Sequence, residues 1–182
     1  RFIEDTDFVL QEKSAICIGK FQGLHLGHQA LIHEAKATGL SVVLVTFSMN
    51  PESDLFLPDE KKAIATSLGV DIMINYPFSD KLRKMSPHQF VSEILKKRCN
   101  GNYVIVGEDF RFGYQRIGDV AFLKEHEAEY DMKTIVVNKM DYDHAKISSS
   151  RIRDCIDQGE CKEAWKMLGF PYFFSGEVVR GN

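Results

Sequence analysis

Two histidines three positions apart close the segment Gly19-Lys20-Phe21-Gln22-Gly23-Leu24-His25-Leu26-Gly27-His28, which lies between a β-rich run and a helical pattern. Imidazoles beside glycines at a helix start suit an anion. The first helical turn leaves N–H groups unpaired, the helix dipole adds partial positive charge, and Gly27 lets a phosphate approach the backbone. His25 and His28 supply two further donors. Simple helix capping would account for a lone histidine, but not for the pair together with the glycines. Zinc would need a third Cys, Asp or Glu ligand that this segment lacks, so phosphate is the better match.

A second cluster, Ile147-Ser148-Ser149-Ser150-Arg151-Ile152-Arg153, places hydroxyls and backbone amides at a helix start with Arg153 on its first turns. Serines and an arginine in that arrangement can chelate a polyphosphate tail, although alone they would read as a serine-capped helix with solvated arginines. The third cluster runs from Val106 through Gly107-Glu108-Asp109-Phe110-Arg111-Phe112-Gly113 to Arg116-Ile117-Gly118-Asp119. Its alternation of aromatics, charges and glycines suits neither a core nor a plain solvated loop. Phe112 could stack on a heterocycle and Asp109 could bond a base or ribose, with one of Phe110 and Phe112 expected in the core.

These clusters need a scaffold, and the hydrophobic pattern supplies one. Strands are expected at Ala15 to Gly19, Val42 to Thr46, Asp71 to Ile74, Tyr103 to Gly107 and Thr134 to Asn138. Helices are expected at His28 to Ala37, Pro58 to Leu68, Ser86 to Lys97, Ser148 to Gln158 and Glu160 to Leu168, with Ser-Pro opening the third and glycines closing several. Alternating strands and helices predict an α/β fold, a doubly wound five-stranded parallel sheet with Rossmann-like character. In such sheets ligands bind beyond the carboxyl ends of the strands, where the first cluster falls.

Composition narrows the rest. The 182 residues carry 23 Lys+Arg against 26 Asp+Glu, a formal charge of −3, so any anion must be held locally and nucleic acid is not an expected partner. The longest apolar runs are strand-sized, which excludes a membrane-spanning helix. The N-terminal Arg-Phe-Ile-Glu-Asp has no apolar signal region, and Cys17, Cys99, Cys155 and Cys161 form no C-x-x-C. A cytoplasmic protein with four structural thiols is expected, and no zinc site from the cysteines.

H-x-G-H behind a strand, with G-x-F-x-G in front of it, resembles a superfamily of nucleotidyltransferases. The wider chain resembles one branch of it, the FMN adenylyltransferase module of the prokaryotic bifunctional riboflavin kinase/FMN adenylyltransferases, or FAD synthetases. The likeness covers nearly the whole chain: G-K-F-Q-G-L-H-L-G-H-Q-A-L, V-T-F then N-P, N-Y-P-F, M-S-P-H-Q-F-V, V-G-E-D-F-R-F-G, R-I-G-D, I-S-S-S-R-I-R and L-G-F-P-Y. It implies an adenylyltransferase domain over residues 1–168. Residues 169–182 then resemble, at Gly176-Glu177-Val178-Val179-Arg180-Gly181, the opening of a riboflavin kinase barrel that the sequence does not contain, so no kinase activity is expected.

The implied reaction is transfer of AMP from Mg-ATP to FMN, giving FAD and pyrophosphate, with Mg²⁺ accompanying ATP, FMN as substrate and FAD as product. The resemblance assigns His25, His28 and Arg153 as catalytic. It assigns Gly19, Phe21, Gly27, His25, His28, Asp109, Ser148, Ser149 and Arg153 to ATP, and Asn50, Phe56 and Phe112 to FMN; it assigns no residue as a metal ligand. Three positions depart from the family pattern: Gln22 stands where an aspartate is usual, Asn50 where a histidine precedes proline, and Ser150 where a threonine is usual. Two alternatives remain open, another H-x-G-H nucleotidyltransferase and a non-catalytic flavin or adenine-nucleotide-binding regulator. A redox flavoprotein is disfavoured, because no cysteine pair or second dinucleotide fingerprint accompanies the phosphate loop.

Overall fold

The computed structural model describes residues 1–5, 7–48, 54–178 and 180. Its centre is β2 (Ser14–Ile18), a strand buried at every position. Such a strand must be covered on both faces, which is why its sequence is continuously apolar from Ala15 to Ile18 rather than alternating. Parallel pairing extends the sheet on one side through β3 (Ser41–Ser48), β4 (Ile72–Pro77) and β1 (Phe2–Ile3), and on the other through β5 (Gly101–Gly107) and β8 (Lys133–Val137). The five expected strands are all present. The short β1 adds a sixth at the edge, pairing Phe2 with Met73 and Ile3 with Ile74; two residues give no readable period.

Ordered as β4-β3-β2-β5-β8, the long strands adopt the arrangement of doubly wound nucleotide-binding sheets, so the winding direction reverses between β2 and β5. Side chains alternate between two cores. Ile16, Ile18, Val43, Val45, Ile74, Val104 and Val106 face one layer, packed with Phe90, Ile94 and Leu95. Ala15, Cys17, Leu44 and Ile105 face the other, covered by Leu31 and Ile32 of α1 (Leu26–Ala37), Ile64 of α2 (Pro58–Ser67), Ile152 of α7 (Ser149–Asp157) and Met167 of α8 (Cys161–Leu168).

Several expected bounds shift for local reasons. Helix α1 begins at Leu26, earlier than its periodicity indicates, because His25 is extended at ψ 172° and acts as its N-cap. After α3 (Asp80–Arg83), the expected helix Ser86 to Lys97 forms as a short turn, α4 (Pro87–Gln89), whose Ser86 cap accepts from Gln89 N–H. It then continues as a π-helix over Phe90–Arg98. Wider winding is invisible to a pattern search tuned to 3.6 residues per turn. The crossover from β5 to β8 contains β6 (Arg111–Phe112) and β7 (Gly118–Asp119), paired antiparallel, then α5 (Val120–Glu125) and α6 (Glu127–Tyr130). The sequence reading had no helix there, since each is only a turn or so long.

A small hairpin of β9 (Asp141–Tyr142) and β10 (Ala145–Lys146) leads into α7. Beyond α8, Gly169 closes the helix at φ +82°, and Tyr172 and Phe173 stack near Phe56 with ring centroids 5.5 and 5.3 Å away. Among the described residues, no helix is long and apolar enough to cross a membrane.

Ile16 is fully buried on β2. Ile16→Ala should cost about 2–5 kcal/mol, through lost burial plus the cavity left behind. The corresponding change at Val178, 98% exposed, should cost almost nothing. Urea midpoints of the two variants against the parent chain check the pair.

Candidate active site

Where the winding reverses, the chain leaves β2 at Ile18 and β5 at Gly107, and both residues line a cavity of about 1120 Å³. Among the described residues its walls include seven Lys or Arg side chains, Lys20, Arg116, Lys139 and Lys146 among them, and one carboxylate, Asp109. In a chain whose formal charge is −3, that is a strong local concentration of positive charge.

The turn from β2 to α1 is tightly held. Phe21 and Leu24 adopt left-handed conformations at φ 46° and 47°, and both side chains are completely buried. Burial of the two anchors holds a backbone that non-glycine residues disfavour, at about 1–3 kcal/mol each. Gln29 ties the turn to the last helix, its Nε2 donating to the carbonyls of Leu24 (2.9 Å) and Leu168 (2.7 Å). A Cβ at Gly27 would lie 3.3 Å from the His25 ring, so glycine gives that imidazole its room.

His25 and His28 stack with ring centroids 3.8 Å apart and an interplanar angle of 18°, and Phe21 packs against His28 at 4.9 Å. Two such rings cannot both be protonated out of water. Burial lowers the His25 pKa to about 4, and burial with the nearby charges of His25 and Lys61 lowers that of His28 well below its ordinary value. Both imidazoles are therefore neutral at neutral pH. Three buried side-chain polar atoms among the described residues lack a hydrogen-bond partner, and two are Nδ1 of His25 and Nδ1 of His28. Helix α1 carries no acidic residue in its first turn and no side-chain cap. Unpaired polar atoms at an uncapped helix start are a site prepared for an anionic guest.

Opposite, Ser148 caps α7 by accepting from Arg151 N–H at 3.2 Å, and Ser148, Ser149 and Ser150 all face the cavity. Arg151 is not part of this wall. Its Nη1 donates to the carbonyls of Tyr142 (2.6 Å) and Ala145 (3.0 Å), which fixes the β9–β10 hairpin. At the end of β5, Asp109 pairs with Lys139 at 2.6 Å. Phe112 is 6% exposed, stacks with Phe110, packs against Phe90 and Phe122, and still contributes to the cavity wall.

Of the residues singled out from the sequence, Gly19, His25, Gly27, His28, Asp109, Phe112, Ser148 and Ser149 are brought together around this cavity. Phe21 is core beneath His28 rather than wall. Arg153 is partly buried on α7 and is not among the wall residues. Phe56 is 3% exposed within the aromatic group of Phe170, Tyr172 and Phe173, also off the wall. Asn50 lies outside the described residues. Gln22 and Ser150, two of the departures from the family pattern, both line the cavity.

Sequence reasoning missed Lys61, which is 6% exposed, pairs with Asp54 at 3.1 Å and places positive charge near His28. Its signal was available: positions 61, 64, 65 and 68 share one helical face, and three of the four are apolar. The segment R-I-G-D also has a structural purpose. Asp119 caps α5 by accepting from Phe122 N–H (2.9 Å) and binds Arg111 (2.7 Å), while Gly118 leaves room for the Phe112 ring.

Sheet order and cavity together define a doubly wound α/β domain with a cation-walled cavity at its switch point. The FAD synthetase family model matches residues 8–151, and the chain belongs to that family. It is 33% identical to the bifunctional riboflavin kinase/FMN adenylyltransferase of Buchnera aphidicola from Schizaphis graminum, over 95% of this chain and 60% of that protein. It is 30% identical to an FAD synthetase of Listeria monocytogenes, over 93% of this chain and 74% of that protein. The chain thus spans about 60% of the length of its bifunctional relatives. A Streptococcus pneumoniae crystal structure described as a macrolide-efflux protein superposes with a TM-score of 0.82 at 26% identity, covering 94% of this chain and 60% of that one.

The depressed His25 pKa has a measurable consequence. An unfolded histidine titrates near 6.5, so below that pH the unfolded chain binds a proton that the folded chain refuses, and stability falls as pH drops toward about 4. For His25 alone the loss across that window is on the order of 3 kcal/mol. Denaturant unfolding from pH 7 to 4 should show a shallower decline in His25→Gln than in the parent chain; equal slopes would contradict the assignment.

Proposed function

We propose that this chain catalyses transfer of AMP from Mg-ATP to the phosphate of FMN. A phosphate oxygen of FMN attacks the α-phosphorus of ATP in line, the bond from that phosphorus to the bridging oxygen of the β-phosphate breaks, and pyrophosphate leaves with the electron pair. The product is FAD, and no covalent enzyme intermediate is required. The observation that carries the reading is the pair of neutral, stacked imidazoles with unpaired Nδ1 atoms at the uncapped start of α1, in a cavity walled by cations. Membership of the FAD synthetase family supports it.

In this scheme His25 and His28 hold the α-phosphate as its charge develops, with Gly27 and the α1 amides beneath them. Ser148 and Ser149 receive the departing β- and γ-phosphates, with Arg153 assigned there by resemblance. Asp109 is assigned to the adenosine, and Phe112, Phe56 and Asn50 to the flavin side. Catalysis of this type is positioning plus preorganised neutralisation of charge. The cavity volume, about 1120 Å³, is ample for two nucleotides side by side.

Magnesium fits as part of the substrate. Among the described wall residues the one carboxylate, Asp109, is already paired with Lys139, so they offer no protein cage, whereas nucleotide phosphates with one carboxylate are a usual setting for Mg²⁺. Bound in this way, the ion would neutralise the phosphates of the leaving group.

Incubation with FMN, ATP and MgCl₂, with chromatographic separation of FMN from FAD, tests the proposal beside a riboflavin and ATP control. FAD should form from FMN, and riboflavin should remain unphosphorylated. His28→Ala should lower turnover by about 10²–10³, the usual effect of losing one preorganised donor, with circular dichroism unchanged. Bound nucleotide without FAD formation would sink the enzymatic reading and leave a binding protein.

A further inference from the structure

We propose that His88, His126 and Glu129, none of them a wall residue of the cavity, form a binding site for a single late first-row divalent cation of the zinc type. These residues come from two separate elements, α4 and the α5–α6 junction, and their ligand atoms all lie within 4.8 Å of one another. None of the three lines the cavity, so the inference does not rest on the proposed reaction.

The geometry of His126 carries the argument. Its Nδ1 lies 2.8 Å from the carbonyl oxygen of Phe122, a distance at which that nitrogen must bear the hydrogen and donate. In the neutral ring Nε2 is then a bare lone pair, and it faces Glu129 Oε2 at 3.9 Å. Two acceptors facing each other are unfavourable until a proton or a metal ion lies between them. The ring is also locked in place, stacked on Phe122 with centroids 4.2 Å apart and met edge-on by His88 at 4.7 Å. A ligand imidazole whose second nitrogen donates to a backbone carbonyl is the usual supporting arrangement of protein metal sites.

His88 completes the set. Its Nδ1 lies 3.8 Å from Glu129 Oε1 and 2.5 Å from the hydroxyl of Tyr130. His88 and Glu129 are each 53% exposed, so both side chains are free to close from spacings of up to 4.8 Å to the roughly 3.3–3.6 Å that tetrahedral bonds of about 2.0–2.2 Å impose. Two imidazoles and one carboxylate match zinc, cobalt or nickel, and match magnesium and calcium poorly because those prefer all-oxygen shells. Water would fill the fourth position.

Such an ion would staple together the two walls that hold the aromatic loop. Next to His88, Pro87 abuts Gly113, where an added Cβ would come within 2.9 Å of the proline nitrogen. Ahead of His126, Phe122 packs on Phe112. The inserted cation would thus link α4 to α5 across the loop from Phe110 to Asp119.

The test is titration of the tag-free, metal-stripped chain with Zn²⁺ by calorimetry and with Co²⁺ by visible absorption, alongside thermal melts. One equivalent should bind, Co²⁺ should give a d–d spectrum without a thiolate charge-transfer band, and Zn²⁺ should raise the melting temperature. His88→Ala and Glu129→Gln should each weaken binding more than about tenfold, since even loss of a supporting partner costs about 10–100-fold. Both positions are exposed, so folding is preserved. Tyr130→Phe, which removes the hydroxyl competing for His88, and the double variant Cys155→Ser/Cys161→Ser should bind as tightly as the parent or tighter. Absence of saturable binding, survival of the site in His88→Ala, or its loss with the cysteines would overturn the proposal.

Discussion

Two imidazoles stacked out of water cannot both be charged, and the candidate site is arranged around that constraint. Their neutrality follows from burial, and burial follows from the packing of Phe21 and Leu24 in backbone conformations that only a well-filled core would hold. A nearby buried lysine pushes in the same direction. What results is a polar but uncharged floor with open hydrogen-bonding capacity, while formal positive charge is displaced to the cavity walls. Under the proposed reaction, the wall cations would attract an anionic substrate at long range and the fixed dipoles at the helix start would hold it.

Much of this was legible in the sequence because it is local. The β2 strand, the turn, the histidines and the α1 start are contiguous, and the meaning of H-x-G-H depends only on a strand before it and a helix after it. The serine-rich start of α7 was legible for the same reason. Hidden instead were facts set by distant partners. Arg151 and Arg153 sit on one helix two residues apart, and nothing in their identities says that Arg151 would be consumed by two carbonyls of a hairpin. Phe56 was assigned to the flavin by resemblance alone, and nothing near it in the sequence says that Phe170, Tyr172 and Phe173 arrive from more than a hundred positions away to enclose it.

The sheet shows the same division. Its five long strands could be read from apolar runs, whereas β1 owes its existence to the exposed edge of β4 and not to its own two residues. The helix over Ser86 to Lys97 was legible but its π winding was not, and the short α5 and α6 carry too few residues to register against a 3.6-residue repeat. His126 and Glu129 are visible as an i, i+3 pair, but His88 meets them only because the β5–β8 crossover lays α5 beside α4. Clusters assembled across a crossover are tertiary facts.

Helix α2 connects the parts that sequence distance separates. Glu60 uses one carboxylate oxygen to accept from Leu57 N–H at its own helix start, 2.8 Å away, and the other to accept from the Ser175 hydroxyl at 2.7 Å. The next residue, Lys61, is paired with Asp54 beneath the cavity and biases His28 toward its neutral form. One turn of helix therefore meets the segment that follows α8 through Glu60 and bears on the charge of His28 through Lys61.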